Sequence, residues 1–396
     1  MNNFTYYAPT KVIFGKDTQA QTGQLVKETN CKKVLLHYGE GSVKRSGLLD
    51  QIKASLDTEG ILYTELGGVV PNPRLSLVYK GIELCKREGV DFILAIGGGS
   101  VIDSAKAIGY GAACDNDVWD FYNFKGQPTT CLPIGCILTI AAAGSEMSSS
   151  CVITNEDGWI KRGCSSNLSR ARFAIMNPEL TMTLPAYQTA SGCTDILMHT
   201  MERYFNKSDN MELTDSMSEA LMRTVIKNAK ILKKDPDNYD ARAEVMWAGS
   251  LSHNGLMGCG TDGGDWASHK LEHELGGLFD VAHGAGLAAV WGSWARYVYM
   301  ERPERFAQFA IKVLGLPSGS SIEETAEETA LKGIEAMENF YRLIDMPTSL
   351  KELGIEPTDA QIEEMAEKCC ISAKGILGKI KPLKKEDLTA IYKMAK

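Results

Sequence analysis

The stretch Asp91-Phe-Ile-Leu-Ala-Ile-Gly97-Gly-Gly-Ser100-Val-Ile-Asp-Ser-Ala-Lys106 decides the fold of the first half of the chain. A short apolar run ends at three glycines, and a helical pattern begins directly behind them. A strand, a glycine turn and a helix N-terminus together present backbone N–H groups and a positive helix dipole, which suit a phosphate group. The stretch departs from the G-x-G-x-x-G fingerprint because Ile102 occupies the place of the third glycine. We predict a phosphate-binding βα turn here, with a plain tight turn as the alternative.

Further strand and helix patterns surround this turn. Apolar runs at residues 33–38, 91–96 and 134–139 alternate with helical patterns at residues 76–88 and 101–109. Short apolar runs bounded by glycines are typical of buried parallel strands in an α/β sheet. Beyond Leu184 only helical patterns recur, at residues 211–233, 240–253 and 302–314. We therefore predict an α/β domain over residues 1–184 and an all-helical domain over residues 185–396.

A second glycine cluster follows the first predicted strand. It reads Gly39-Glu40-Gly41-Ser42. Nucleotides commonly bind at the carboxyl ends of parallel strands, where this cluster and the first glycine turn are both expected. Two such loops favour a dinucleotide as the ligand.

The composition excludes several classes of protein. A chain of 396 residues with 44% hydrophobic and 23% charged residues is long enough for two globular domains. The net charge of −8 argues against a nucleic-acid binder. The start of the chain does not resemble a signal peptide, and no apolar run has membrane-spanning length. Eleven cysteines without a Cys-x-x-Cys pair favour a reducing compartment, so we expect a cytoplasmic protein with no membrane partner.

One carboxylate and four of the six histidines fall in two short stretches with metal-ligand spacing. These residues are Asp195, His199, His269, His273 and His283. Residues four apart on a helix share one face, so each stretch can aim two ligand atoms at one point. A carboxylate with several imidazoles suits zinc or iron. The spacing alone does not choose between the histidines, and the remaining two, His37 and His253, are expected to be structural.

Two other chemistries are compatible with part of this pattern. The segment His269-Lys-Leu-Glu272-His273 matches H-x-x-E-H, in which two histidines bind zinc and the glutamate acts as base in a metallohydrolase. Such a hydrolase would leave the glycine loops, Asp195, His199 and His283 without a role. A non-catalytic metal-binding protein with a closed four-ligand site is the third possibility.

The chain resembles the iron-containing (group III) alcohol dehydrogenases, in particular their NADP(H)-dependent butanol dehydrogenase branch. The likeness covers nearly the whole chain and rests on residues 7–15, 71–73, 97–106, 139–146, 181–185 and 265–284. It implies a Rossmann-like α/β N-terminal domain and an all-α metal-binding C-terminal domain, the dehydroquinate synthase-like fold. It also implies hydride transfer between a nicotinamide cofactor and a primary alcohol or aldehyde such as butanol or butanal.

The resemblance assigns roles residue by residue. It implies Fe²⁺ or Zn²⁺ held by Asp195, His199, His269 and His283. It places His273 beside substrate and cofactor as a proton-transfer or positioning residue, and it adds Asp103 and Lys106 to the catalytic group. The cofactor-binding positions that it implies are Gly39, Gly41, Ser42, Gly97, Gly98, Gly99, Ser100, Asp103, Thr139 and Leu180.

The serine of the adenosine-side loop, Ser42, favours NADP(H) over NAD(H) as the cofactor. Two positions depart from the family pattern: Glu40 replaces a glycine in that loop, and Ile140-Ala-Ala-Ala-Gly144 stands where relatives carry proline or threonine. A carboxylate at Glu40 repels a 2′-phosphate, although Lys44 and Arg45 offer compensating charge. Because NADPH is normally the reducing pool, the NADP(H) preference favours aldehyde reduction as the physiological direction. The resemblance further implies a homodimer as the assembly.

Overall fold

The computed structural model describes residues 1–317, 325–373 and 375–396. The chain divides into two compact units, one formed by Tyr7–Leu184 and the other by Pro185–Lys396 together with Met1–Tyr6. The first six residues thus lie with the second unit, whereas the sequence expectation began the first domain at residue 1. No helix of the described residues combines the length and apolarity needed to cross a membrane.

A parallel sheet organises the first unit. Its six strands follow the order β1-β8-β5-β4-β2-β3, and every neighbouring pair is parallel. A separate antiparallel hairpin is formed by β6 and β7. The strands are β1 (Lys11–Phe14), β2 (Lys33–Gly39), β3 (Leu62–Val69), β4 (Phe92–Gly97), β5 (Ile134–Leu138), β6 (Ser150–Asn155), β7 (Ile160–Ser165) and β8 (Phe173–Met176).

Helices connect the parallel strands of this unit. They are α1 (Thr22–Lys27), α2 (Ser42–Arg45), α3 (Leu48–Thr58), α4 (Leu75–Glu88), α5 (Gly99–Ala113) and α6 (Val118–Tyr122). The central strands β4 and β5 are buried along their whole length, and β2 is buried except at its two end residues. Such burial explains why these strands are continuous apolar runs in the sequence.

The sheet has a topological switch point between β2 and β4. Strand β3 lies next to β2 at one edge of the sheet. Strand β4 pairs with the opposite side of β2, and β5 then adds to the far side of β4. In open α/β sheets, ligands bind outside the carboxyl ends of the strands at such a point. Gly39 ends β2 and Gly97 ends β4, so both predicted glycine loops lie at this point.

Helices are the main elements in the described part of the second unit, and an isolated antiparallel bridge joins Leu377 and Leu383. Its helices are α7 (Ala186–Tyr204), α8 (Glu212–Lys234), α9 (Tyr239–His253), α10 (Ala267–Phe279), α11 (His283–Val298), α12 (Pro303–Lys312), α13 (Ala326–Leu343), α14 (Asp359–Ser372) and α15 (Lys385–Ala395). A buried aromatic cluster packs several of them together and consists of Phe205, Trp291, Trp294, Phe306 and Phe309. In the same unit, helices α7, α10 and α11 carry the residues predicted to bind metal.

Candidate active site

The three histidines predicted to bind metal converge on one carboxylate oxygen, Oδ1 of the fourth predicted ligand, Asp195. This atom lies 3.1 Å from His199 Nδ1, 3.6 Å from His283 Nε2 and 3.7 Å from His269 Nε2. Asp195 and His199 are one turn apart on α7, His269 lies on α10, and His283 is the first residue of α11. Asp195, His199 and His269 offer ligand atoms that all lie within 4.8 Å of one another.

The burial and chemistry of this cluster fit a divalent cation. Asp195, His199 and His269 are each at most 5% exposed. His269 Nε2 is buried and forms no hydrogen bond with the described part of the chain. A buried polar atom without a partner costs free energy, and a cation would supply that partner. One carboxylate oxygen and imidazole nitrogens suit Fe²⁺ or Zn²⁺.

Two further carboxylates hold the imidazoles in place. Glu202 Oε1 accepts a hydrogen bond from the His269 backbone N–H at 2.9 Å and lies 3.0 Å from His269 Nδ1. Glu272 contacts Nδ1 of His283, the ring nitrogen opposite the one that approaches Asp195. A carboxylate on the far nitrogen of a metal-binding histidine orients the ring and increases its basicity. The structure thus supplies His269 and His283 with the supports that a metal centre requires.

His273 lies one turn after His269 on α10 and, like His283, is outside the group of Asp195, His199 and His269 whose ligand atoms all lie within 4.8 Å of one another. Its ring centroid is 6.0 Å from that of His283. Glu272, which a metallohydrolase would use as its base, is fully buried and contacts His283. The geometry therefore does not support the hydrolase alternative.

The cluster perturbs the acid–base properties of its members. Burial opposes ionisation of Asp195, but the neighbouring His199 and His283 hold the pKa of its carboxyl well below the usual range. Burial lowers the pKa of His199 to about 4. Burial acts in the same direction on His269, yet its contacts with Asp195 and Glu202 raise the pKa of this imidazole to about 9. Without metal at neutral pH, His269 therefore carries a proton that a ligand nitrogen must lose.

We expect metal affinity to increase with pH because His269 must be deprotonated to bind. Between pH 6 and the His269 pKa of about 9, the dissociation constant for Zn²⁺ should fall about tenfold per pH unit, and it should level off above this range. Chelator competition across this range measures the slope. Glu202→Gln removes a carboxylate that raises the pKa of His269, so the dissociation constant of this variant should level off at a lower pH than that of wild type. A wild-type affinity that does not change with pH would contradict the assignment of His269.

The predicted cofactor residues lie at the carboxyl edge of adjacent strands. Gly39 ends β2 and is followed by Gly41 and Ser42, and Gly97 ends β4 and is followed by Gly98 to Ser100. Thr139 follows β5, and Leu180 comes shortly after β8. Thr139 N donates a hydrogen bond to Gly97 O at 3.1 Å, which joins two of these loops. At Gly98 an added Cβ would lie 1.9 Å from Ile140 Cγ2, so only glycine fits there. The residues predicted to bind the cofactor therefore share one edge of the sheet.

Asp103 and Lys106 have contacts that indicate a different role from the catalytic one expected. Lys106 Nζ is fully buried and donates to the carbonyl oxygens of Ser145, Ser148 and Ser150 at 2.7–3.0 Å, with the Ser145 hydroxyl at 3.0 Å. The Asp103 carboxylate accepts from the Ser145 hydroxyl and, at 2.8 Å, from Val152 N. Four acceptors surround the three N–H groups of an ammonium, which leaves none for proton transfer. Both side chains fasten the segment after β5 to helix α5.

Two residues at the metal cluster were missed at the sequence level. Glu202 follows Asp195 and His199 at the i, i+4, i+7 spacing of one helix face, a signal that was available in the sequence. His253 was expected to be structural, but its ring lies 4.0 Å from that of His199, centroid to centroid. No local spacing connects His253 to His199, because α7 and α9 meet only through the packing of the helices.

Fold and site together define a metal-dependent, nicotinamide-linked oxidoreductase, and comparison with known families agrees. Residues 9–178 match the model of iron-containing alcohol dehydrogenases, and residues 189–396 match that of the C-terminal domain of the same family. The chain belongs to the iron-containing alcohol dehydrogenase family. It is an NAD(P)-dependent enzyme of the iron type that acts on CH–OH groups, as the resemblance implied.

Individual relatives resemble the chain over almost its full length. A probable NADH-dependent butanol dehydrogenase of Bacillus subtilis is 42% identical over 393 residues, which cover 99% of each chain. An NADPH-dependent aldehyde reductase of Escherichia coli is 34% identical, with 90% of each chain covered. The crystal structure of NADH-dependent butanol dehydrogenase A from Thermotoga maritima superposes with a TM-score of 0.95 at 40% identity, covering 100% of this chain and 99% of the other.

Proposed function

We propose that this enzyme reduces short-chain aldehydes such as butanal to primary alcohols with a reduced nicotinamide dinucleotide, and that it catalyses the reverse oxidation. The observation that carries the proposal is the convergence of three imidazoles on Asp195 Oδ1, with His273 one turn beyond. The names of the butanol dehydrogenase and aldehyde reductase relatives support the substrate class.

In the helical unit, one group of residues holds the metal and another residue transfers the proton. When bound, a divalent metal polarises the substrate oxygen, and the nicotinamide supplies or accepts the hydride. Asp195, His199, His269 and His283 hold the metal in this proposal. His273 delivers the proton to the substrate oxygen during aldehyde reduction, which is the role a histidine next to such a centre performs as a general acid.

The residues of the α/β unit position the cofactor. Gly97 to Ser100 hold the diphosphate at the N-terminus of α5, where the backbone N–H groups and the helix dipole favour anions. Gly39 to Ser42 hold the adenosine side, and Thr139 and Leu180 supply further contacts to the cofactor. Asp103 and Lys106 act as positioning residues, since their contacts fix the segment next to Thr139.

We propose NADH as the preferred cofactor, in place of the NADP(H) preference expected from Ser42. The Glu40 side chain is exposed directly after β2, where it repels a 2′-phosphate and can accept a hydrogen bond from a ribose 2′-hydroxyl. Arg45 lies beside Gly41 and supplies the opposing attraction to phosphate. The names of the Bacillus subtilis and Thermotoga maritima relatives support NADH, and that of the Escherichia coli relative supports NADPH.

The proposed reaction is tested by following oxidation of NADH and NADPH with aldehydes of two to six carbons. We expect turnover with NADH and a maximum of kcat/KM near butanal. Size-exclusion chromatography with light scattering on the same sample tests the homodimer predicted for the enzyme. A sample that carries metal but oxidises neither cofactor with any aldehyde would overturn the proposed function.

Removing the charge at Glu40 should shift cofactor preference toward NADPH. The carboxylate repels a phosphate about 5 Å away by roughly 1 to 3 kcal/mol, depending on solvent exposure. We expect Glu40→Gln to raise the ratio of kcat/KM for NADPH to that for NADH by about tenfold. The exposed Glu83 on α4 offers a control, since Glu83→Gln should leave the ratio unchanged. An unchanged ratio in Glu40→Gln would show that another residue decides the preference.

A further inference from the structure

His253, the last residue of α9, packs directly against the predicted ligand His199. The two rings meet edge to face, with centroids 4.0 Å apart and an interplanar angle of 65°. His253 also lies 6.0 Å from the ring of Trp266, again edge to face. One side of His199 is therefore covered by an imidazole that does not belong to the group of three ligand residues.

A buried arginine connects these aromatic rings. Arg203 Nη1 donates to the backbone carbonyl of His199 at 2.7 Å, and Nη2 lies 3.3 Å from His253 Nδ1. The same guanidinium lies over the Trp266 ring, 4.6 Å from its centroid. An arginine has N–H donors only, so Nδ1 of His253 must be the acceptor and the ring must be neutral, with its proton on Nε2.

The surroundings of His253 are held rigidly. Trp266 adopts a left-handed backbone conformation with φ of 64°, which is rare for a bulky residue, and its indole N–H donates to Gly263 O at 2.6 Å. Arg203 is only 9% exposed and depends on His253 to accept its Nη2 donor. Loss of that acceptor would leave a buried charged donor unpaired and remove one of the contacts that hold the guanidinium beside His199.

We propose that His253 is a positioning residue of the metal centre. It restrains the ring of His199 by direct packing and restrains the His199 backbone through Arg203, without binding the metal itself. The inference rests on the proposed function in that Asp195, His199, His269 and His283 are taken to hold a metal. Outer groups that orient a metal ligand typically contribute 10- to 100-fold to metal affinity.

Three substitutions separate the two contacts of His253. His253→Asn keeps an acceptor at the position of Nδ1 for Arg203 but loses the ring, His253→Phe keeps the ring and loses the acceptor, and His253→Ala loses both. Chelator competition with Zn²⁺ should show an affinity about tenfold weaker or more for His253→Ala. The asparagine and phenylalanine variants should fall between alanine and wild type. The exposed Glu244 on the same helix provides the control, since Glu244→Ala should bind Zn²⁺ like wild type.

The visible spectrum of bound Co²⁺ distinguishes positioning from packing alone. If His253 orients His199, the d–d bands of the Co²⁺-loaded alanine variant should shift from those of wild type. A lower melting temperature with unchanged Zn²⁺ affinity and unchanged Co²⁺ bands would overturn the inference and leave His253 a packing residue. Failure of the wild-type protein to bind either ion would instead overturn the proposed metal centre, so the two failures are distinguishable.

Discussion

His269→Ala is expected to lose metal and activity together, whereas His273→Ala should keep the metal and lose turnover. His269 Nε2 belongs to the cluster around Asp195, and its removal takes away a ligand. His273 lies one turn away, where loss of a general acid lowers kcat by roughly 100- to 10,000-fold. Metal content by plasma mass spectrometry, measured beside kcat with butanal, separates the two effects.

His273→Asn sharpens this experiment. Asparagine keeps a hydrogen-bonding group near the position of Nδ1 but cannot exchange a proton at neutral pH. If His273 transfers the proton, asparagine should be as inactive as alanine. Substantial recovery of kcat in His273→Asn would instead assign His273 to substrate positioning. Equal metal loss in His269→Ala and His273→Ala would contradict the assignment of His269 as a ligand and His273 as a proton-transfer residue.

The separation of His269 from His273 shows how far the sequence alone could lead. Both histidines share one face of α10, so spacing allowed either to bind metal, and only the family resemblance chose between them. The choice depends on where α7 and α11 place Asp195 and His283, which is a property of helix packing. The hydrogen bonds of Glu202 to His269 likewise connect residues that are 67 positions apart.

His37 and His253 also show that sequence patterns do not reveal the tertiary contacts of a histidine. Both were expected to be structural. His37 is buried in β2, with Leu66 O and Ser104 Oγ each 2.8 Å from a ring nitrogen, as expected for such a residue. His253 instead contacts the ring of His199. No local pattern distinguishes the two histidines, because the difference arises from tertiary contacts.

The main elements of the fold were predictable because burial leaves a clear periodicity. The expected helix at residues 240–253 is α9 (Tyr239–His253), and the expected strand at residues 134–139 is β5 (Ile134–Leu138). Strand β3 (Leu62–Val69) was missed because it lies at the sheet edge and has only one buried residue. The hairpin of β6 and β7 was missed as well, since neither strand is a continuous apolar run.

Lys106→Met should destabilise the α/β unit strongly. The substitution removes a buried ammonium and leaves the carbonyl oxygens of Ser145, Ser148 and Ser150 without their shared donor. Ser150 O keeps the Ser148 hydroxyl as a donor at 3.4 Å, so two buried carbonyl oxygens lose their partner. Each such loss costs about 1 to 3 kcal/mol, so the free energy of unfolding should fall by about 2 kcal/mol or more. Urea unfolding followed by circular dichroism measures this loss through the midpoint of the transition.

A matched substitution at the surface provides the reference for this experiment. Lys80 is exposed on α4, so Lys80→Met should change the free energy of unfolding by less than about 0.5 kcal/mol. Equal midpoints for the two variants would contradict the structural role of Lys106. A stable Lys106→Met protein that binds NADH normally but has no turnover would restore the catalytic role expected from the sequence.

We expect catalysis to depend on one metal ion held by Asp195, His199, His269 and His283. The most direct measurement removes metal from the purified enzyme, adds back Fe²⁺ anaerobically in steps, and records NADH oxidation with butanal against bound iron. Activity should be absent without metal, rise in proportion to bound iron and saturate at about one ion per chain, and Asp195→Ala should gain none. Full activity in the metal-free enzyme would contradict the account.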